Sequence, residues 1–296
     1  MKSGKGHGPG RPWPFIFVNT LRPSRHSACR AGGGGYIGGR EKGQRLQATE
    51  GRSGSVWEGE GMNVVSIMAH QDDEMRCLGT MLKCRARGDR LSFIVVTDGS
   101  KGFVQRPSIS REEAARIRNE EMTALAKKAG ATYINLGEPD EFLYDTPQVR
   151  MKLIEAIRKI GAQLIFTHYH VDYNVDHTTV NTLVRQCTMQ ASLPVLPTAS
   201  APLEGPPAIF LCEATGVVDF PATHYVDITD FQAEKVRLLE CHVSQDEAMR
   251  LVTGRGIGSL CEKLEAFRGD QVGCKFAECF APMQARGAVK PYNVLP

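Results

Sequence analysis

From residue 62 onward, short apolar runs alternate with longer stretches in which apolar residues recur every three or four positions. Residues 63–68 (Asn-Val-Val-Ser-Ile-Met) are apolar almost throughout and read as a buried strand. Residues 74–87 then place Met75, Leu78, Met81 and Leu82 at helical spacing, and Gly88 supplies the stop. The cycle repeats with a strand at 91–96 and a helix opened by the capping box Ser110-Arg111-Glu112-Glu113, which runs to about Lys128 and closes on Gly130. A strand at 132–136, a helix at 147–160 closed by Gly161, a strand at 163–167 and a helix at 177–191 follow. Strands and helices alternating at this spacing require right-handed crossovers. The pattern predicts an α/β fold, a Rossmann-like, mostly parallel sheet with helices on both faces.

A proline-rich stretch at 193–207 interrupts the alternation. Beyond it, residues 208–213 and 224–228 read as strands, Thr229-Asp230-Phe231-Gln232 as a capping box, and 233–242 as a helix. No internal repeat is visible. The expectation is one folded domain, 62–296, with a C-terminal elaboration.

Composition changes the picture at the other end. Residues 1–61 carry ten Lys/Arg against four Glu, 15 of the 30 glycines, and no helical or alternating apolar period. Such a segment cannot bury enough surface to offset its ordering entropy, so it is expected to be a disordered, basic, Gly-rich extension. Its charge is expected to be solvated rather than bound to nucleic acid. The apolar stretch at 13–18 is interrupted by Pro14 and is too short for a membrane span. The nine cysteines include no C-x-x-C and are odd in number, which fits a reducing, cytoplasmic setting better than a disulfide framework.

Chemistry concentrates where two strands run out. The first ends in His70-Gln71-Asp72-Asp73-Glu74, the fourth in His168-Tyr169-His170-Val171-Asp172-Tyr173-Asn174-Val175-Asp176-His177. Loops at the strand ends of an open α/β sheet are where ligands collect. A catalytic zinc takes three protein ligands and leaves a position open. His70, Asp73 and His177 would supply that set, and Asp72 is then the candidate general base. Taken alone, Asp72-Asp73-Glu74 is equally well explained as a helix cap with an acidic first turn. The second run weakens that explanation, because three His and two Asp at 168–177 are hard to account for as capping.

At these motifs the chain resembles the PIG-L/LmbE-like zinc-dependent N-acetylglucosaminyl deacetylases. Ala69-His70-Gln71-Asp72-Asp73-Glu74 is similar to that family's Ala-His-Pro-Asp-Asp-Glu, and Asp172-Tyr173-Asn174-Val175-Asp176-His177 to its Asp-x-His-Pro-Asp-His. The likeness continues through Arg118-Asn119-Glu120-Glu121, Asp140, Val226-Asp227-Ile228-Thr229, His242-Val243-Ser244-Gln245 and Phe276-Ala277-Glu278-Cys279-Phe280. It implies Zn2+ on His70, Asp73 and His177, Asp72 as base, and substrate binding by Arg118 and Asp140. A surface pair between Arg118 and Glu121 and a turn role for Asp140 are the plainer alternatives. Glu74 is expected to begin the helix; His242 and Gln245 either line the site or close a helix, the latter being favoured; His168 and His170 read as pocket wall or surface, and Glu213 is a lesser candidate for the pocket. Gln71 stands where the family has proline, and Asn174 where it has a histidine that stabilises the oxyanion or protonates the amine. Asparagine can donate to an oxyanion but cannot act as an acid near neutral pH.

The expected function is a zinc-dependent amidohydrolase that removes acetyl from an N-acetylated amino sugar or its glycoconjugate, with Asp72 and Asn174 as catalytic groups. Its partner is a small-molecule glycoconjugate, without nucleic acid or a membrane span, and homo-oligomerisation is left open. The rival is a catalytically silent metal- and carbohydrate-binding relative, motivated by Asn174. A dinucleotide-binding protein is disfavoured, since no Gly-x-Gly-x-x-Gly follows the first strand.

Overall fold

The structure, a computed structural model, describes residues 61–214 and 219–283, all within the unit Val56–Pro296. The disorder expected of 1–61 lies, but for Gly61, outside the described residues.

Seven strands form one sheet in the order β3-β2-β1-β4-β5-β7-β6. Strands β1 (Asn63–Met68), β2 (Arg90–Thr97), β3 (Thr132–Glu138), β4 (Leu164–His168) and β5 (Ala208–Cys212) are all parallel. The last two, β6 (His224–Asp227) and β7 (Ala277–Pro282), pair antiparallel, with β7 inserted between β5 and β6. The sheet is therefore mostly parallel, as the alternating pattern predicts.

Strand β1 is apolar on both faces because it separates two cores. Val64 and Met68 pack on one side with Leu78, Met81 and Leu82 of α1 (Leu78–Ala86), Met122 and Leu125 of α2 (Arg111–Ala129), and the later helices. Val65 and Ile67 face the other side, against Leu153 and Ile157 of α3 (Pro147–Ile160) and Val180 and Leu183 of α4 (Val175–Gln190). Successive strand side chains point to opposite faces, so a continuous apolar run is what a doubly covered strand needs.

Where the elements depart from expectation, a side chain explains most of it. The helix expected at 74–87 is a single 3-10 turn (Asp73–Arg76) followed by α1, because Cys77 at φ −139° leaves helical geometry between them. Helix α4 begins two residues before His177, since Asn174 caps it. The expected box at 229–232 does not form: Thr229 Oγ1 accepts from Phe276 N–H at 3.2 Å instead, and Phe231 occupies the cap position. The helix expected to reach 242 ends sooner, as α5 (Gln232–Leu239), and two unanticipated helices follow, α6 (Val243–Thr253) and α7 (Ile257–Val272).

A buried ion cluster ties these late elements to the early ones. Lys235 Nζ lies 2.5 Å from Glu265 and 2.6 Å from Glu278, and all three residues are buried. Glu278, on β7, also accepts from Gly79 N–H (2.9 Å) and Thr80 N–H (2.7 Å) in the first turn of α1. First-turn amides have no partner within their own helix, and a carboxylate there also complements the helix dipole.

Candidate metal centre and cleft

Strand β1 lies between β2 and β4, where the strand order reverses direction, so the loops after β1 and β4 diverge and leave a crevice at their carboxyl ends. The two motifs meet there. His70 Nδ1 is 3.2 Å from His177 Nε2 and 3.3 Å from Asp73 Oδ2, and His177 Nε2 is 3.3 Å from Asp73 Oδ1. Donors bound at ~2.0–2.1 Å to a tetrahedral zinc stand ~3.3–3.4 Å apart; the two imidazole nitrogens are close to that spacing and Asp73 reaches each with a different oxygen, so the three side chains are near enough to share an ion.

The far side of each imidazole is also set. His70 Nε2 lies 3.0 Å from Asp140 Oδ1 and 3.3 Å from Asp176 Oδ2, and His177 Nδ1 lies 2.8 Å from Asp172 Oδ2. A carboxylate on the distal nitrogen fixes the tautomer that leaves the inner nitrogen's lone pair free. The roles of Asp172 and Asp176 were missed from sequence, although both stand in the quoted motif; their spacing to His177 was the available signal. Asp176 further accepts from Glu141 N–H (2.7 Å) and Leu143 N–H (3.2 Å), which ties the loop after β3 to the centre.

Electrostatics follow from this packing. Burial pulls the His70 imidazole down, but hydrogen bonds to Asp140, Asp176 and Asp73 outweigh it and hold its pKa well above the ordinary value. His177 is likewise depressed by burial, yet raised overall to about 9 by Asp73 and Asp172. Burial would lift Asp73, but the neighbouring His177 and His168 bring it well below the usual carboxylate range. His168, expected to be wall, is buried behind the centre with its ring stacked on His177 at 4.0 Å. Burial, then His177, depress its pKa to about 4, and its Nε2 accepts from Ala69 N–H at 2.9 Å. His170 is exposed.

Asp72 stands apart from the three. Its backbone is left-handed at φ 110°, unusual outside glycine. Its Oδ1 accepts from Arg118 Nη2 at 2.9 Å, and the same nitrogen donates to the Gln71 carbonyl. Burial raises the Asp72 pKa and Arg118 works against it. Arg118 is thus buried rather than paired with Glu121, which instead accepts from Ser244 Oγ and N–H at 2.7 and 2.8 Å. Asp140 accepts from Lys101 N–H at 2.6 Å, so both expected substrate residues already hold parts of the site.

One expectation is extended and one needs correction. Glu74 lies in the first turn of the 3-10 helix, and its side chain also turns inward, accepting from Asp72 N–H at 3.0 Å and meeting His242 Nε2 at 2.7 Å. His242 does not close α5, which stops at Leu239, but stands at the start of α6, fully buried. Gln245 lines the cleft and donates to Gly102 O at 3.0 Å, and Glu213 lines it while pairing with Arg268 Nε at 2.9 Å. Asn174 Oδ1 accepts from Asp176 N–H at 2.8 Å as the cap of α4, and its Nδ2 faces Glu141 Oε1 at 3.4 Å.

Together these residues border an open cleft of about 360 Å³. Asp72, Asp73, His70 and His177 form its polar floor, while Val104, Ala248, Met249 and Val252 contribute an apolar wall.

Comparison with known proteins agrees with the fold and the motifs. Residues 65–188 match the family PIG-L: GlcNAc-PI de-N-acetylase. The N,N'-diacetylchitobiose deacetylase from Pyrococcus horikoshii, solved with an inhibitor, superposes with a TM-score of 0.65 at 23% identity over 75% of this chain and 83% of its own. The conserved protein TT1542 from Thermus thermophilus gives 0.63 at 23% identity, covering 77% of this chain and 97% of its own. GalB, the 4-carboxy-2-hydroxymuconate hydratase from Pseudomonas putida, gives 0.64 at 16% identity, covering 78% of this chain and 100% of its own. At these identities the likeness is one of fold. No curated protein matches the chain.

Proposed function

We propose, from the premise that residues 65–188 belong to the PIG-L family, that this protein is a zinc-dependent hydrolase removing acetyl from an N-acetylated amino sugar or its glycoconjugate. The observation that carries the reading is the convergence of His70 Nδ1, Asp73 and His177 Nε2 within reach of one ion beside a buried Asp72. Zinc at such a site acidifies water and polarises the amide carbonyl.

The chain supplies the rest. Asp72 accepts the water's proton as the water attacks; burial raises its pKa, and Arg118, bonded to the carboxylate, opposes part of that rise. Asn174, oriented by its own cap bond to Asp176 N–H, offers Nδ2 to the developing oxyanion. The amine must leave protonated, and Asp72 returning its proton is the economical route, since Asn174 carries none to give. The polar floor suits the sugar and its acetamide, and the apolar wall suits a less polar aglycone.

Acetate release from a panel of N-acetylglucosamine conjugates, with chelator and after zinc is restored, tests this proposal. Acetate must be measured directly, because a hydratase shares the fold. Asp72→Asn should lower turnover by about 10²–10⁴-fold while zinc still binds. A zinc-binding protein that releases no acetate from any conjugate would favour the silent, carbohydrate-binding alternative that Asn174 motivates.

A further inference from the structure

We infer that Glu74 and His242 form a buried positioning pair whose task is to hold Asp72 in its left-handed backbone conformation, and so to aim its carboxylate. The inference deepens the proposed function and rests on Asp72 being the base.

A left-handed aspartate needs something to keep it there: its carbonyl accepts from Met75 N–H at 3.0 Å in the 3-10 turn, and its amide is held by a side chain. Asp72 N–H donates to Glu74 Oε2 at 3.0 Å, closing a tight turn in which the side chain two residues on captures the strained residue's own amide. The second oxygen, Oε1, meets His242 Nε2 at 2.7 Å. Both residues are essentially solvent-free, at 1% and 0% exposure, so water cannot replace either bond. Each oxygen of Glu74 therefore has one assigned partner, one on the catalytic turn and one at the start of α6.

His242 is 168 residues away in sequence and belongs to an anchored element. Its carbonyl accepts from Asp246 N–H at 2.9 Å, its near neighbour Ser244 is held by Glu121, and Gln245 is bonded to Gly102 O. Its ring is thus placed by α6, and through Glu74 it places Asp72. The His242-Val243-Ser244-Gln245 motif acquires a function: its first residue orients the base without touching the cleft floor. Arg118 fixes the carboxylate end of Asp72, and this pair fixes the backbone end.

The chemistry dictates the test. Glutamate holds both partners at once, and glutamine can do the same with the imidazole's other tautomer, so the decisive change is Glu74→Leu, which removes both bonds at similar volume. His242→Leu removes the donor, and His242→Gln restores an N–H at similar reach. In the full-length protein, His242→Leu and Glu74→Leu should each lower kcat by about 10- to 100-fold, since small misplacements of a catalytic group are that costly, with KM and zinc affinity retained. His242→Gln should recover most of the loss. Independently of activity, the Asp72 backbone amide should shift upfield and lose hydrogen-exchange protection in the first two variants and regain both in the third. If Asp72's amide and kcat stay at wild-type values in folded Glu74→Leu, the pairing has no positioning role. If no N-acetyl amino sugar is turned over by the wild type, the amide measurement still decides on the pair, and only the proposed reaction falls.

Discussion

Residue 174 shows how one side chain can serve structure and chemistry together. Asn174 is among the best helix caps, and its oxygen already satisfies the first amides of α4, the helix that delivers His177. Asn174→Ala should therefore cost about 0.5–2 kcal/mol in denaturant unfolding, separately from any effect on turnover. An unchanged midpoint would show that the cap is energetically idle. Gly99 presents a similar overlap. It sits at φ 67°, and a Cβ there would run into Gln71 Oε1, so Gly99→Ala should destabilise by about 1–3 kcal/mol and disturb the loop bearing Asp72. Restoring stability by pairing it with a smaller residue at 71 would identify the clash as the cause. Single residues were the most legible level of the sequence: His70, Asp73 and His177 converge as their motifs implied. What could not be read were partners remote in sequence, such as Asp140 behind His70 or His242 behind Glu74, because nothing local records where a side chain across the sheet will point.

Among elements, legibility followed self-sufficiency. Helix α3 spans Pro147–Ile160 as its period predicts, because Thr146 caps one end and Gly161 the other, and both signals are local. Residues 229–242 misled, because Thr229 carries a capping signature that the junction with β7 claims instead. Helix α1 lies between these cases. No side chain at its own start caps it, and Glu278 does so from β7. Removing that carboxylate leaves Lys235 half-paired and two helix amides bare, so Glu278→Ala should cost about 3–5 kcal/mol in urea unfolding. A loss below about 1 kcal/mol would mean that water and Glu265 suffice.

For the molecule as a whole, the alternation of strands and helices made the parallel half of the sheet readable, while the antiparallel end was not foreseen, since the pairing partners of β6 and β7 are not neighbours set by a crossover. Among the described residues no helix is long and apolar enough to cross a membrane. Stability should respond to the ion at the global level: zinc at 100 times its dissociation constant should add about 2.7 kcal/mol to unfolding, read as a rise in melting temperature that chelator reverses. The insertion of β7 between β5 and β6 also bears on how the chain is made. Gly79 and Glu278 are 199 residues apart, which at ~5–20 residues per second leaves roughly 10–40 s between the emergence of the first turn of α1 and that of its anchor. From the moment β5 pairs with β4 until β7 arrives, its open edge is available to any other extended chain. A chain terminated before residue 277 would carry the five parallel strands and every proposed zinc ligand while lacking the strand that covers the β5 edge.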